Sequence, residues 1–408
     1  MTAELKDRDI ICIAPSFWKT DAPLNVHHVM RRLAAQNRIL FVESLGLRAP
    51  KHNRRDWGKV RDRIKGCLMG LRRTPEGLWL FSPLVLPFPG VGFIRRINRF
   101  YLIQALKWIM WRLDIQKPIL WIFLPTGADL VGNLGECLVI YHCVDAYGEN
   151  PGVNRGAINA LEEKLLLHCD LLFTTSRPLF AEKIPQKGRS FFLQNVADIS
   201  HFENPGMPPK ELSSLEGPIL GYVGNLADYK LDLELLLQMA GERPDWNICL
   251  VGPHGAGDPG TDLGQLEEQP NIHLMGSKDY SVIPSYIAGF DVCLIPFRLN
   301  SSTRSSFPLK FFEYMAAGKE IVTTPLEALK EYRSRPDLCH FAENAVEFIR
   351  AVEVALARSQ VEELVEARRM EARKNSWELR IKEIHEIILQ ALEEFGGKPG
   401  EDPRGGRE

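Results

Sequence analysis

Missing from these 408 residues are any C-x-x-C pair, any internal repeat and any apolar stretch free of helix breakers long enough to cross a bilayer. The eight cysteines lie scattered, mostly in apolar, strand-like runs, which excludes the usual zinc and dithiol signatures. They read as buried, reduced thiols of a cytosolic protein. The uncharged run Leu78–Ile94 is about as long as a membrane span, but Pro83, Pro87, Pro89, Gly90 and Gly92 interrupt it. A charged N-terminus leads straight into the strand-like Asp9–Ala14, with no leader pattern before it. Two short motifs are set aside. Asp7-Arg8-Asp9 resembles a D-x-D metal signature but precedes the first strand, so no metal and no cofactor are expected. Gly255-Ala256-Gly257-Asp258-Pro259-Gly260 matches G-x-G-x-x-G, yet Pro259 and a poor helix start make it a flexible loop.

The chain also lacks overall charge: its formal net charge is −2. That near-neutrality hides a division. Residues 1–130 hold 22 Lys and Arg against 10 Asp and Glu, a balance of +12, and the remainder carries −14. Such a division suggests that the first part faces something anionic.

What is present is a repeated alternation of short β-type and helical segments, in a length that calls for two domains. Apolar runs at Ile10–Ala14, Ile39–Glu43, Leu78–Ser82, Ile119–Leu124, Leu138–Asp145, Leu171–Ser176 and Ser190–Gln194 form a first array, with helices such as Asn25–Gln36 and Ala157–His168 between them. Continuous apolar strands of this kind fit a parallel sheet covered on both faces. Glu203–Gly217, rich in Pro, Gly and Ser, reads as a linker. A second array follows, with strands at Ile219–Val223, Asn247–Val251, Ile272–Met275, Val292–Ile295 and Ile321–Thr323. The expected organisation is a first α/β domain over 1–203, a second over 218–375, an amphipathic helix over 376–395 and a disordered tail over 396–408.

Two segments of the second array carry chemistry. In Ser305-Ser306-Phe307-Pro308-Leu309-Lys310-Phe311-Phe312-Glu313, a small-polar loop runs into a proline-started helix bearing one Lys and one Glu. Proline suits the first helical turn, whose free N–H groups and positive dipole end attract anions. Lys310 adds a full charge, and Glu313, one turn on, offers acceptors for sugar hydroxyls. The loop Gly221-Tyr222-Val223-Gly224-Asn225-Leu226-Ala227-Asp228-Tyr229-Lys230 ends a strand in a glycine, where a ligand can approach the backbone, and sets Lys230 at a helix start. By itself the loop also fits an ordinary strand-to-helix turn.

Together with Arg243–Asn247 and Asn271–Gly276 between them, these segments resemble the C-terminal domain of group-one nucleotide-sugar glycosyltransferases. The resemblance is strongest over Gly217–Thr324 and weaker over the first half. It implies the GT-B fold: two Rossmann-like doubly wound α/β domains facing a central cleft, with a C-terminal helix that crosses back to the first domain. It also implies transfer from a nucleoside diphosphate sugar with retention and without a metal. On that pattern Glu313 would hydrogen-bond the ribose, the Leu309 and Lys310 backbone behind Pro308 would hold the diphosphate, Gly224 and Lys230 would contact it, and Gly276–Lys278 would receive the base. Two positions depart from the family: a glutamate eight positions before Glu313 is here Ser305, and an arginine after the loop glycine is here Asn225. Ser305 remains a candidate for a sugar hydroxyl, Ser306 beside it belongs to the expected donor-binding set, and Arg304 or Lys310 is a candidate for compensating charge. A nucleotide-sugar epimerase of the same fold, or a non-catalytic scaffold, are the alternatives.

In the first array, Tyr141-His142-Cys143-Val144-Asp145 ends a strand, which sets His142 and Asp145 where ligands bind in doubly wound sheets. Both also fit a hydrogen-bonded histidine and a capping aspartate. The pair His27-His28 is read mainly as a surface feature. Arg48–Arg73 and Val91–Arg112 mix basic with apolar and aromatic residues, a composition suited to an anionic membrane surface. No nucleic-acid-binding module is present to claim that charge. The expected partners are a nucleotide-sugar donor, a glycan or lipid-linked acceptor and that membrane surface. The expected place is the cytoplasm, with peripheral attachment to the inner face of the membrane as the further expectation.

Overall fold

The computed structural model describes residues 4–20, 23–45, 61, 65–86, 90–150, 152–255, 258 and 260–396. Most of the basic stretch 48–73, the centre of the 255–260 glycine motif and the tail beyond Gly396 lie outside the described residues.

The first array folds into an eight-stranded sheet in the order β3-β4-β2-β1-β5-β6-β7-β8. Its strands are β1 (Asp9–Ile13), β2 (Arg38–Val42), β3 (Arg72–Arg73), β4 (Trp79–Phe81), β5 (Ile119–Ile122), β6 (Leu138–Cys143), β7 (Leu171–Thr174) and β8 (Arg189–Phe192). All pairings are parallel except the short edge β3–β4. That edge strand carries two arginines, so apolar patterning gave no sign of it. Successive residues alternate between two cores: Ile10 and Cys12 face one side, Ile11 and Ile13 the other. One core is covered by helices α1 (Asn25–Leu33) and α10 (Trp377–Gly396), the other by α2 (Gly92–Leu113) and α3 (Arg155–His168).

The second array forms a six-stranded, wholly parallel sheet in the order β11-β10-β9-β12-β13-β14. Here β9 is Ile219–Val223, β10 Asn247–Val251, β11 Ile272–Gly276, β12 Val292–Ile295, β13 Glu320–Thr323 and β14 His340–Phe341. Its helices include α5 (Leu233–Glu242), α6 (Ile283–Ala288), α7 (Lys310–Ala316), α8 (Ala345–Arg358) and α9 (Glu362–Lys374); α4 (Arg177–Glu182) belongs to the first unit. Chain order reverses between β9 and β12, the place where doubly wound sheets set their ligand crevice. Arg368 of α9 is fully buried and donates to Glu320 of β13 at 2.6 Å and to the Gly318 carbonyl at 3.1 Å.

After α9 the chain turns at Asn375 and α10 returns to the first sheet. Trp377, Ile384, Ile388 and Ala391 are buried there with Val26, Val29 and Leu33 of α1. The two crossings between the units meet each other: Ala197 bridges Ser376, and the Ala197 N–H donates to the Asn375 carbonyl. The first sheet thus buries one face only when the last helix is in place. Ile384→Ala should destabilise the first unit by about 2–5 kcal/mol, through lost transfer energy plus a cavity. Urea unfolding followed by first-unit tryptophans checks this; an unchanged midpoint would remove α10 from that core.

Candidate functional site

The crevice of the second sheet collects the charged residues of both segments read above. Loop 224–230 leaves β9 and pairs with the loop after β12: Leu231 bridges Phe297, and the Arg298 N–H donates to the Lys230 carbonyl at 2.9 Å. This pairing sets Lys230 over the Phe297 ring, its Nζ 5.1 Å from the centroid. Lys310, at the start of α7, reaches the same place from the other side, 5.0 Å from the Phe297 centroid and 4.8 Å from that of Tyr222. Aromatic faces attract both ammonium groups. They do not replace an anion: burial and the like charge of Lys230 bring Lys310 down to about 7. Burial also lowers Lys230, with Asp145 opposing that fall. Glu313 moves the other way, raised by burial and held back by Lys310.

Gly224 explains the close packing. Its φ is +151°, and a Cβ there would lie 2.7 Å from Tyr222 Oη and 2.9 Å from Lys310 Nζ. Next to it, Gly252 has no room for a side chain, because a Cβ would come 1.9 Å from the Gly224 carbonyl oxygen. The Val223 N–H donates to Tyr314 Oη at 2.8 Å, which ties α7 to the end of β9. Among the described residues the N–H groups of Leu309 and Lys310 have no hydrogen-bond partner. Helix α7 is only seven residues long, so the two lysines, rather than a helix dipole, supply most of the attraction for an anion.

The first unit contributes Asp145, half-buried beyond the end of β6 and raised by burial, with Lys230 pulling it back down. Asp145 and Lys230 therefore sense each other across the cleft. The units also meet through hydrogen bonds to the 301–307 loop. Ser176 Oγ donates to the Ser305 carbonyl at 2.7 Å, Asn195 Nδ2 to the Phe307 carbonyl at 3.3 Å and Ser301 Oγ to Glu149 at 2.9 Å. Ser305 is consequently buried, with its carbonyl committed to holding the units together.

Several sequence-based assignments land elsewhere. His142 points into the core behind β6, stacked on Phe123 at 4.7 Å and edge-on to Phe173, with neither ring nitrogen hydrogen-bonded. Burial, with Arg380 adding to it, lowers it to about 3. Strand alternation is the reason: Tyr141 and Cys143 face the other core, so His142 cannot reach the cleft. His27 and His28 are buried, not on the surface: His27 accepts from the Leu24 N–H at 2.8 Å, and His28 stacks on Trp377. Lys278 is paired with Glu211 at 2.8 Å and lies over Tyr286, so it brings no spare charge; Gly276 beside it is exposed at the end of β11. Arg304 is exposed at the end of the turn 301–304 and makes no ion pair among the described residues. Asn225 and Ser306 remain half-buried at the rim, and Pro308 is buried beneath it. Residues that sequence reasoning passed over are Tyr222, Gly252, Phe297, Ser176 and Asn195. Of these only Gly252, directly after a strand, left a signal.

With this geometry in view, comparison with known proteins is informative. Residues 217–358 match the family model "Glycosyl transferases group 1". The C-terminal domain belongs to the group 1 glycosyltransferases. A Bacillus subtilis protein, "Putative teichuronic acid biosynthesis glycosyltransferase TuaH", is 27% identical over 287 residues, 66% of this chain and 71% of that protein. An alignment of that length extends beyond the matched domain into the first unit. Sucrose-phosphate synthase from Thermosynechococcus elongatus superposes with a TM-score of 0.70 at 15% identity, covering 95% of this chain and all of that one. Anabaena Alr3699/HepE in complex with UDP gives 0.64 at 12% identity, covering 94% of this chain and all of that one. The overall fold is GT-B.

A depressed Lys310 has a measurable consequence. An anion restores its ammonium, so diphosphate binding takes up a proton between about pH 7 and its ordinary value, and affinity falls as pH rises through that window. Calorimetry with UDP or GDP in two buffers of different ionisation enthalpy should show the uptake at pH 8. Lys310→Arg, charged throughout, should flatten the alkaline limb; an identical limb in that variant would assign the proton elsewhere. For His142, neutral when folded, the sign is different: stability is lost as pH falls from 6.5 towards 3, on the order of 5 kcal/mol in full. His142→Phe should soften the acid-induced fall of melting temperature and leave nucleotide-induced stabilisation intact. Loss of that stabilisation would return His142 to the site.

Proposed function

We propose that this glycosyltransferase moves a sugar from a nucleoside diphosphate sugar to a glycan or lipid-linked acceptor, with retention at the anomeric carbon and without a metal. The observation that carries the proposal is the crevice with two lysines, Lys230 and Lys310, and two unpaired N–H groups beside Glu313. Such a set suits a diphosphate joined to a ribose. The HepE complexes with UDP and UDP-glucose make uridine the first base to test. The name of the Bacillus relative favours an envelope polysaccharide as acceptor, and the +12 charge of residues 1–130 favours work at an anionic membrane surface.

In the reaction proposed, the bond between the anomeric carbon and the diphosphate oxygen breaks as the acceptor hydroxyl attacks from the same face. The acceptor proton passes to the departing diphosphate oxygen, and Lys230, Lys310 and the Leu309 and Lys310 N–H groups stabilise the charge that develops there. Asp145, across the cleft, orients the sugar, and Glu313 holds the ribose hydroxyls.

A thermal-shift series with UDP, GDP, ADP, dTDP and CDP tests the donor half. At a hundredfold excess over Kd the right nucleotide stabilises by about 2.7 kcal/mol. Lys230→Ala should lower kcat by roughly a hundredfold or more, and Glu313→Ala should mainly weaken donor binding. Absence of any nucleotide shift would leave a scaffold, and donor conversion without acceptor would mark an epimerase.

A further inference from the structure

Among the described residues, helix α2 carries the greatest concentration of exposed aromatic side chains. Phe93, Ile97, Phe100, Trp108 and Trp111 recur at helical spacing along one side, with Phe93 72% and Trp111 78% exposed. Five of the six exposed aromatic side chains among the described residues lie on this helix, so the apolar exposure is concentrated rather than scattered. The opposite face is firmly held: Leu102, Leu106 and Ile109 are buried in the core against the first sheet. Two further exposed leucines lie beside the helix. Asn98 pins the Leu86 backbone with two hydrogen bonds, at 3.1 and 2.8 Å, which displays Leu84 and Leu86 beside it, each about half exposed.

Charge decides what covers this face. The 22 residues of α2 include five Lys or Arg and no Asp or Glu. Arg96, Arg99, Lys107 and Arg112 are exposed, and among the described residues none of them forms an ion pair. A two-fold self-contact would set these cations against themselves. Indoles with a cationic border suit the headgroup region of an anionic bilayer, where rings enter the acyl boundary and ammonium and guanidinium groups meet phosphate. No helix among the described residues is long and apolar enough to cross a membrane, and α2, packed along its inner side, would lie in the surface plane.

We infer that α2, with the Leu84–Leu86 loop, is the surface by which this chain docks on an anionic lipid bilayer. The inference deepens the membrane-facing part of the proposed function by naming the docking element, and it does not depend on sugar transfer.

The test uses the full chain and two vesicle types, pure phosphatidylcholine and a mixture with phosphatidylglycerol, at 50 mM and 500 mM salt on the order of a tenfold range in ionic strength. Co-sedimentation should favour the anionic vesicles and weaken with salt, with a blue shift of tryptophan emission. Trp108→Ser with Trp111→Ser should reduce partitioning at least tenfold, and Arg96→Glu with Lys107→Glu should remove the anionic preference. Both pairs are exposed, so the melting temperature and the nucleotide-induced shift should stay as in the parent chain. Lys230→Ala should bind vesicles normally, which separates docking from catalysis. Equal partitioning by the double tryptophan variant would overturn α2 as the docking element while leaving membrane attachment itself standing. No binding of the parent chain at low salt would overturn both. A dimer in solution that the tryptophan variant dissolves would make this face a self-interface instead.

Discussion

Two ammonium groups share one poorly hydrated crevice, and their mutual repulsion is the constraint around which the site is built. Lys230 and Lys310 approach the Phe297 ring from neighbouring loops, and each lies within the field of the other. Aromatic faces and the nearby Asp145 and Glu313 moderate the repulsion, yet among the described residues neither lysine forms an ion pair. An anion with more than one charged oxygen would relieve it, and the diphosphate of the proposed donor meets that requirement better than a single carboxylate.

Holding such a site requires rigid walls. Backbone contacts between Gly224 and Gly252 leave no space for side chains, Tyr314 anchors α7 to β9, and the antiparallel bridge from Leu231 to Phe297 fixes the two loops together. The other side of the cleft is positioned by the chain's last helix. Because α10 completes a core of the first sheet, the two units are joined by two crossings that pair at Ala197 and Ser376. Besides these crossings, hydrogen bonds from Ser176 and Asn195 to the Ser305 and Phe307 carbonyls hold the loop against the first unit. Departure from the family's glutamate at Ser305 acquires a structural setting here: the position is buried at the contact between the units.

The division of charge has a corresponding division of surface. Residues 218–375 carry an acidic excess, whereas the basic excess is on the first unit and includes a helix with an aromatic outer face. A protein whose acceptor is carried on a membrane gains from this arrangement, because docking through α2 leaves the donor-side unit less attracted to the surface.

Most of the strands were legible because parallel strands covered on both faces are continuous apolar runs; β9, β10 and β12 agree to the residue. Local chemistry likewise singled out Gly224, Lys230, Lys310 and Glu313, which the fold brings close together, since a glycine at a strand end and a lysine at a helix start stand out in short segments. What failed to show was set by direction and distance. His142 and Asp145 stand three positions apart in one motif, yet strand alternation sends the histidine into the core and leaves the aspartate in the cleft. Lys278 looked available until Glu211, from the linker, was found against it. The amino-acid sequence by itself determined the two α/β arrays, the donor-side loop chemistry and the basic first half, because each depends on neighbours along the chain. Only the tertiary structure decided which titratable groups lie in each other's field, because bringing Lys230 near Lys310 and Asp145 depends on sheet order and on the return of the final helix.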